Sequence, residues 1–492
     1  MNVREASILM GADISSVSAE LFDNQITDFS IDSRSVKAGE LFFALSQADY
    51  ARAGFNGEFA DAHEFIPAAF GNGAMVAVAR AERVRGDDKL LRLKDRLLLV
   101  DDAIAALQTL ARRVYDAWGR PVVGITGSAG KTTAKELTAH LLCEGGRRVL
   151  KSERNYNNGL GLPLSVLKMV SAGHSPDQFD VAVLEMGMSS PTHEIRRLVE
   201  ITPPDIGVEL MVAPVHLEYL GSIENIAAAK AELIEGLKPN GTAVLNSDDE
   251  LVIKMRSKHA GRIVTFGIDH QADVTATNIS TEHLGMIEFR LQTPFGEAPA
   301  MLPMSGRHNL MNALAAASVA TCFEMTAAEI AKALKGVRPP EMRGATIDFA
   351  KGFTVVDDSY NSNPRSLISM VRTITEAGDA HKRRIVIAGE MLELGADAAQ
   401  LHREAGREIA QLGVDVLWGV RGLAKELLVG AQEAGLRETR FFESSEEAGA
   451  EIVSHLIGGD LVLIKGSRGV ATDKVVKAVR KAFEEQKSDG GC

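Results

Sequence analysis

Residues 121–142, PVVGITGSAGKTTAKELTAHLL, run an apolar strand pattern through a glycine-rich turn and a Lys-Thr-Thr triplet into a helical pattern. A short, wholly apolar strand feeding a helix through so tight a turn needs cover on both faces. That requirement commits the surrounding chain to a parallel, doubly wound α/β sheet. The rest of the sequence repeats the alternation. DVAVLEMG (180–187) and DIGVELMVA (205–213) are further strand-like runs, and GRHNLMNALAAASVATCFEM (306–325) is helical. IVTFGIDHQADVTATNISTEHLGMIEFRLQTP (263–294) alternates in polarity and predicts an antiparallel excursion from the sheet.

The chain has 492 residues, too many for one core. ELFFALSQ, AMVAVAR and RLLLVDDAIAALQTLARRVYDAWG predict a small N-terminal α/β domain over 1–118, and GRPVVGITG opens the next. The Pro- and Gly-rich GVRPPEMRG (336–344) reads as a linker. Beyond it FTVVDDSY, RIVIAGEM, VDVLWGV and LVLIKGSRG predict a second doubly wound, Rossmann-like sheet. The expected fold class is therefore α/β with three domains: 1–118, a central P-loop sheet over 119–336, and 337–492.

A net charge of −12 argues against a nucleic acid or an anionic membrane as the main partner. No apolar run reaches the roughly 18 residues of a membrane span, and the N-terminus is too short in apolar residues and too acidic for a signal peptide. A cytoplasmic enzyme is expected. Cys143, Cys322 and Cys492 are far apart and odd in number, so they imply free thiols and no disulfide framework.

The loop departs from the Walker pattern G-x-x-x-x-G-K-[ST]. Gly130, Lys131 and Thr132 fit it, but Ile125 stands where the first glycine belongs, and Gly124 and Gly127 are offered instead. The physics survives. Backbone N–H groups across Thr126, Gly127, Ser128, Ala129, Gly130, Lys131, Thr132 and Thr133 can converge on phosphate oxygens at the positive end of a helix. Lys131 can reach the β- and γ-phosphates, and the Thr132 hydroxyl suits a Mg²⁺ shell. Nucleoside triphosphate binding is weighed here against a glycine-rich turn with a chance lysine, and the ordered strand, loop, triplet and helix favour the former. Polar residues also close other strands, where ligands of open α/β sheets sit. They are Glu185, suited to Mg²⁺, His216, Asp357, Asp358, Lys465 and Arg468; a solvated turn or surface residue is the alternative for each, and for Glu185 the P-loop in the same sheet favours the metal.

TGSAGKTT, VLEMG, APVHLEYLGSIENIAAAKAELIEGL, GRHNLMNALAA, VVDDSYNSNP and KGSR together resemble the Mur ligases, which extend the peptide stem of the bacterial cell-wall precursor. NYNNGLGLPLSVL, DDSYNSNP, GEMLELG and LHREAG resemble the branch that joins D-alanyl-D-alanine to UDP-N-acetylmuramoyl-tripeptide. Gly159, Ala62 and Met211 depart from that family's usual residues. The resemblance implies ATP-dependent amide formation through an acyl phosphate, with Mg²⁺, by a monomer. It implies Thr132 and Glu185 as ligands of one Mg²⁺, and His216 with Lys230 at a second. Lys131, His216 and Lys230 would serve catalysis, Lys230 as a carbamate. Asn309, Arg343 and Asp358 would contact nucleotide. Asp32, Ser33 and Arg34 would lie at the UDP-sugar end, and Asn157 and Asn158 near the growing peptide. Another ligase of the superfamily, diamino-acid-adding or folylpolyglutamate-forming, is the near alternative. A P-loop ATPase acting as a switch is the distant one.

Overall fold

Parallel pairing starts near the N-terminus. In the computed structural model, which describes residues 1–55, 59–153, 156–188, 193–214, 220–338, 341–377 and 382–484, β1 (Phe29–Ser30), β2 (Leu41–Phe43), β3 (Val76–Arg80) and β4 (Leu97–Val100) form a four-stranded sheet in that order. The helix Ala103–Trp118 follows, its first turn held by Asp102 Oδ1, which accepts from Ile104 N and Ala105 N. Its apolar face joins this sheet to the next. Tyr115 donates its hydroxyl to Pro203 O at 2.8 Å and Trp118 its indole N–H to Phe179 O at 3.1 Å. One continuous core thus runs from Val3 through Leu107 and Leu110 to Leu233. Replacing either buried leucine of that helix by alanine costs about 2–5 kcal/mol.

The second sheet has nine strands in the order β13-β12-β11-β10-β9-β8-β5-β7-β6. These are β5 (Val122–Thr126), β6 (Val149–Lys151), β7 (Val181–Glu185), β8 (Ile206–Glu209), β9 (Thr242–Asn246), β10 (Arg262–Gly267), β11 (Val274–Ser280), β12 (Ile287–Thr293) and β13 (Gly296–Leu302). Strands β5, β7, β8 and β9 are buried along their whole length, as all-apolar parallel strands must be. The excursion is antiparallel only across β11, β12 and β13. β10 instead pairs parallel with both β9 and β11, and between β9 and β10 the helix Glu250–Lys254 supplies the crossover that returns the chain in the same direction.

The order reverses at β5, which pairs with β7 on one side and β8 on the other. A crevice at the carboxyl ends of such a switch point is where open sheets hold ligands.

The third sheet runs β14-β15-β19-β16-β17-β18, from β14 (Ala345–Asp348), β15 (Thr354–Asp358), β16 (Arg383–Gly389), β17 (Val416–Val420), β18 (Glu438–Phe442) and β19 (Asp460–Lys465). Only its edge strand β14 is antiparallel. Among the described residues no helix is long and apolar enough to cross a membrane. Of the linker read at 336–344, Pro339 and Pro340 lie outside the described residues.

Candidate active site

The chain leaves β5 at Thr126 and turns through Gly127 (φ +153°) and Gly130 (φ +85°) into the helix Lys131–Glu144. Both glycines are required. A Cβ at Gly127 would lie 2.9 Å from Leu210 Cβ, and one at Gly130 only 2.3 Å from Asn312 Oδ1. Ile125, in the Walker glycine's place, is a buried residue of the strand itself, so the loop begins later than the pattern assumes. Ser128 ties the loop to the segment after β8, donating its N–H to Met211 O at 2.9 Å and its hydroxyl to Ala213 O at 3.1 Å. The Lys131 ammonium crosses the loop to Gly127 O at 2.8 Å. Burial pushes its pKa down, and the charges of Glu185 and Glu209 oppose that shift.

Glu185, buried at the end of β7, accepts from Thr132 Oγ1 at 2.8 Å and from Asn157 Nδ2 at 2.9 Å. Behind it, Ser152 Oγ accepts from Glu185 N at 3.0 Å, and Lys135 Nζ donates to Ser152 O at 2.7 Å. A carboxylate and a hydroxyl are thereby fixed side by side at the mouth of the loop. This is a hard-oxygen pair that fits Mg²⁺.

These groups share a cleft of about 230 Å³ with residues of the third sheet. Ser128, Ala129, Gly130, Lys131, Thr132, Thr133, Asn157, Glu185, Asn309, Arg343 and Asp358 all line it. Asp358, closing β15, pairs with Lys465 Nζ, closing β19, at 2.5 Å, and Lys465 also donates to Asn361 O at 2.9 Å. The Arg343 guanidinium stacks 4.0 Å over the Tyr360 ring. Asn309 is held by Ser305 O at 2.7 Å. His308 Nδ1 lies 3.1 Å from Ser369 Oγ, across to the helix Pro364–Glu376, and burial lowers its pKa to about 4. It is a neutral link between the two sheets. A second, mostly apolar cavity of about 390 Å³ adjoins, with Leu210, Met211, Phe266 and Met311 in its wall and Asn246 and Asp248 among its polar groups.

His216 is outside the described residues. Asp32, Ser33 and Arg34 form a turn after β1 in which Arg34 pairs with Asp32 at 2.8 Å, and none of the three lines the cleft. Asn158 does not line the cleft. Its Oδ1 accepts from Leu160 N and Gly161 N, just ahead of the helix Gly161–Leu167. Gly159, one of the departures, is hemmed in. Gln108 Nε2 donates to its carbonyl, and an added Cβ would meet Phe55 Cζ at 2.9 Å.

Lys230 sits on the helix Ile223–Glu235, which Ser222 Oγ caps by accepting from Asn225 N. It is 2% exposed and lies on the opposite face of the sheet from Thr132. Burial lowers its pKa to about 7 against the pull of Glu209. Glu209 itself, closing β8, was not singled out by the sequence reading, although it ends an apolar strand as Glu185 does. It is fully buried; desolvation raises its pKa to about 8, and the Lys230 charge opposes the shift. Lys465, read from the sequence as a strand-closing cation, lines the cleft, and Asn312 and His308 are further cleft residues beyond the expected set. The cue for those two was present in the helical run 306–325.

The model of the Mur ligase middle domain matches residues 125–320, and that of the Mur ligase, glutamate ligase domain matches residues 342–468. The UDP-N-acetylmuramoyl-tripeptide–D-alanyl-D-alanine ligase of Bacillus subtilis is 31% identical over 447 residues, covering 91% of each chain. The chain belongs to the Mur ligase family. Solved Mur ligases share its fold over nearly the whole length. A MurF crystal structure from Acinetobacter baumannii superposes with a TM-score of 0.82 at 26% identity, covering 98% of both chains. The MurF ligase of Thermotoga maritima, solved in complex with ADP, gives 0.77 at 25% identity, covering 93% of this chain and 98% of its own.

Proposed function

We propose that this chain joins D-alanyl-D-alanine to UDP-N-acetylmuramoyl-tripeptide in the cytoplasm, using ATP and Mg²⁺ and passing through an acyl phosphate. One observation carries the reading. The P-loop groups Lys131, Thr132 and Glu185 and the third-sheet groups Arg343, Asp358 and Lys465 line a single cleft, in a chain whose curated relatives bear that enzyme's name. Residues 1–118 then take the UDP-sugar end, with Asp32, Ser33 and Arg34 as contacts. Residues 119–336 take ATP, and 337–492 select the dipeptide.

The chemistry explains the parts. A carboxylate is a poor electrophile, so the tripeptide's terminal carboxylate first attacks the γ-phosphate in line, and ADP leaves. The dipeptide amine then displaces phosphate from the acyl carbon. Two anions must meet in the first step. Lys131 lies at the loop mouth to offset their repulsion, and the loop N–H groups hold the phosphates in line. Thr132 and Glu185 would hold Mg²⁺, which when bound neutralises charge on the transferring phosphoryl group. The apolar cavity beside Met311 suits the nucleoside, and Asn309 and Arg343 line the adjoining cleft. Burial lowers the Lys230 pKa to about 7, so near neutral pH a sizeable share of its amine is unprotonated. That is the form CO₂ requires to make the carbamate that the family resemblance implies.

The test is an assay with ATP, Mg²⁺, D-alanyl-D-alanine and either the lysine- or the diaminopimelate-containing UDP-tripeptide. The expected outcome is phosphate release that needs both substrates, with a UDP-muramyl-pentapeptide detected by mass spectrometry. Phosphate release with neither substrate present would move the reading to an ATPase switch.

A further inference from the structure

The P-loop strand is flanked by two buried strand-terminal glutamates. Glu185 is the register partner of Ile125 and Glu209 that of Thr126. Since side chains alternate along a strand, the two carboxylates leave the sheet on opposite faces. Glu185 is on the face of the helix Lys131–Glu144. Glu209 is on the face of the helix Ile223–Glu235, where Gly124 and Gly207 lie against Leu233.

On that second face the polar groups are unspent. Glu209 is 0% exposed, and neither Oε1 nor Oε2 has a hydrogen-bond partner. Thr126, beside it on the same face, is also fully buried, and its Oγ1 has no partner either. Three buried oxygens from two adjacent strand ends are therefore left without donors. Native interiors do not leave carboxylates in that condition without something to compensate them. The charged groups acting on Glu209 are Lys230, Lys131 and Asp249. Asp249 is committed, since Oδ1 accepts from Leu251 N and Val252 N and Oδ2 from Val212 N. Lys131 is committed to the loop carbonyl. Lys230 faces Glu209 but gives neither of its oxygens a hydrogen bond.

We propose that Glu209 is a direct carboxylate ligand of a divalent cation on the Lys230 face of the P-loop strand, with the Thr126 hydroxyl at hand as a neutral oxygen donor. Hard cations take such oxygen ligands, and a buried carboxylate with both oxygens free is the group they bind. The inference rests on the reading of the cleft as a Mg²⁺–ATP site, and it adds a ligand that neither the P-loop pattern nor the strand-end expectation supplied.

The probe is Mn²⁺, titrated into the full-length protein in the presence of ADP, with free Mn²⁺ followed by electron paramagnetic resonance. In Glu209→Gln one class of bound Mn²⁺ weakens by about tenfold or more, while ADP affinity is unchanged. Equal Mn²⁺ binding in wild type and variant overturns the proposal. Should the variant not fold, Mn²⁺-soaked crystals of the wild type decide, by an anomalous peak within about 2.5 Å of a Glu209 oxygen. A peak at Thr132 and Glu185 alone, or Glu209 paired with Lys230 and no metal, overturns this inference and leaves the proposed function standing. Absence of Mn²⁺ at either glutamate overturns both.

Discussion

The two flanks of β5 are built from the same cue and end in opposite states. VAVLE and IGVE are apolar strands closed by a buried glutamate, and each pairs with the P-loop strand. On the flank of the helix Lys131–Glu144, Glu185 has a donor for each oxygen, Thr132 and Asn157. On the flank of the helix Ile223–Glu235, Glu209 has none. One flank is thus already organised by the protein's own hydrogen bonds, and the other is left without donors. A one-residue difference in register decides which helix each carboxylate meets, so strand-end position alone does not tell a satisfied acid from an orphaned one.

The largest effect is expected where the flanks meet. Lys131 feels both glutamates, and Lys131→Ala removes the cation proposed to offset the charge of the transferring phosphate. Ligation should fall at least about a hundredfold with the thermal midpoint nearly unchanged. Retention of more than a tenth of wild-type turnover would break the site assignment. Glu185→Gln tests the organised flank. It keeps the shape but gives Thr132 and Asn157 an uncharged partner, so the Mg²⁺ concentration for half-maximal ligation should rise about tenfold to a hundredfold. An unshifted Mg²⁺ curve would mean that the hydrogen bonds there serve only the fold. Lys230→Ala tests the charged flank, and should lower turnover by about tenfold, with partial recovery on adding acetate as a small carboxylate in place of the carbamate. Near-normal turnover without acetate would reduce Lys230 to a packing residue.

How much of this could be read beforehand follows from which forces are local. The strand, loop and helix at 121–142 were legible because apolar runs, glycines and a Lys-Thr-Thr triplet act over a few residues. β10 was misread because its direction is set by the crossover through Glu250–Lys254, not by its own alternation. Asn158, expected near the growing peptide, spends its side-chain oxygen on the backbone N–H groups of Leu160 and Gly161, a local use that its sequence neighbours do not announce. Asn312 went unremarked because its approach to Gly130 is a contact between a loop and a helix far apart in sequence. Glu209 carried the same signal as Glu185 and was overlooked, and only the three-dimensional register shows that it faces a lysine.

The smallest and most direct measurement of the difference between the flanks is a pH slope. Burial raises Glu209 from 4.5 to about 8 and lowers Lys230 from 10.5 to about 7. A carboxyl with a raised pKa binds its proton more tightly in the folded chain than in the unfolded one. Its contribution to stability is therefore fully present below the unfolded value and is lost as pH climbs towards about 8. Lys230 has the reverse sign: its contribution is lost as pH falls from its unfolded value of 10.5 to about 7. The two slopes overlap and cancel between about 7 and 8, so the Glu209 term stands alone on the acid side. With divalent cations chelated, the wild type should lose about 1 kcal/mol of stability per pH unit relative to Glu209→Gln between about pH 5 and pH 7. Urea unfolding of both proteins over that range reads the difference. Parallel curves would show that Glu209 is already neutralised by a contact within the fold. Saturating Mn²⁺ should flatten the wild-type slope alone, because a cation on the carboxylate takes the place of the proton.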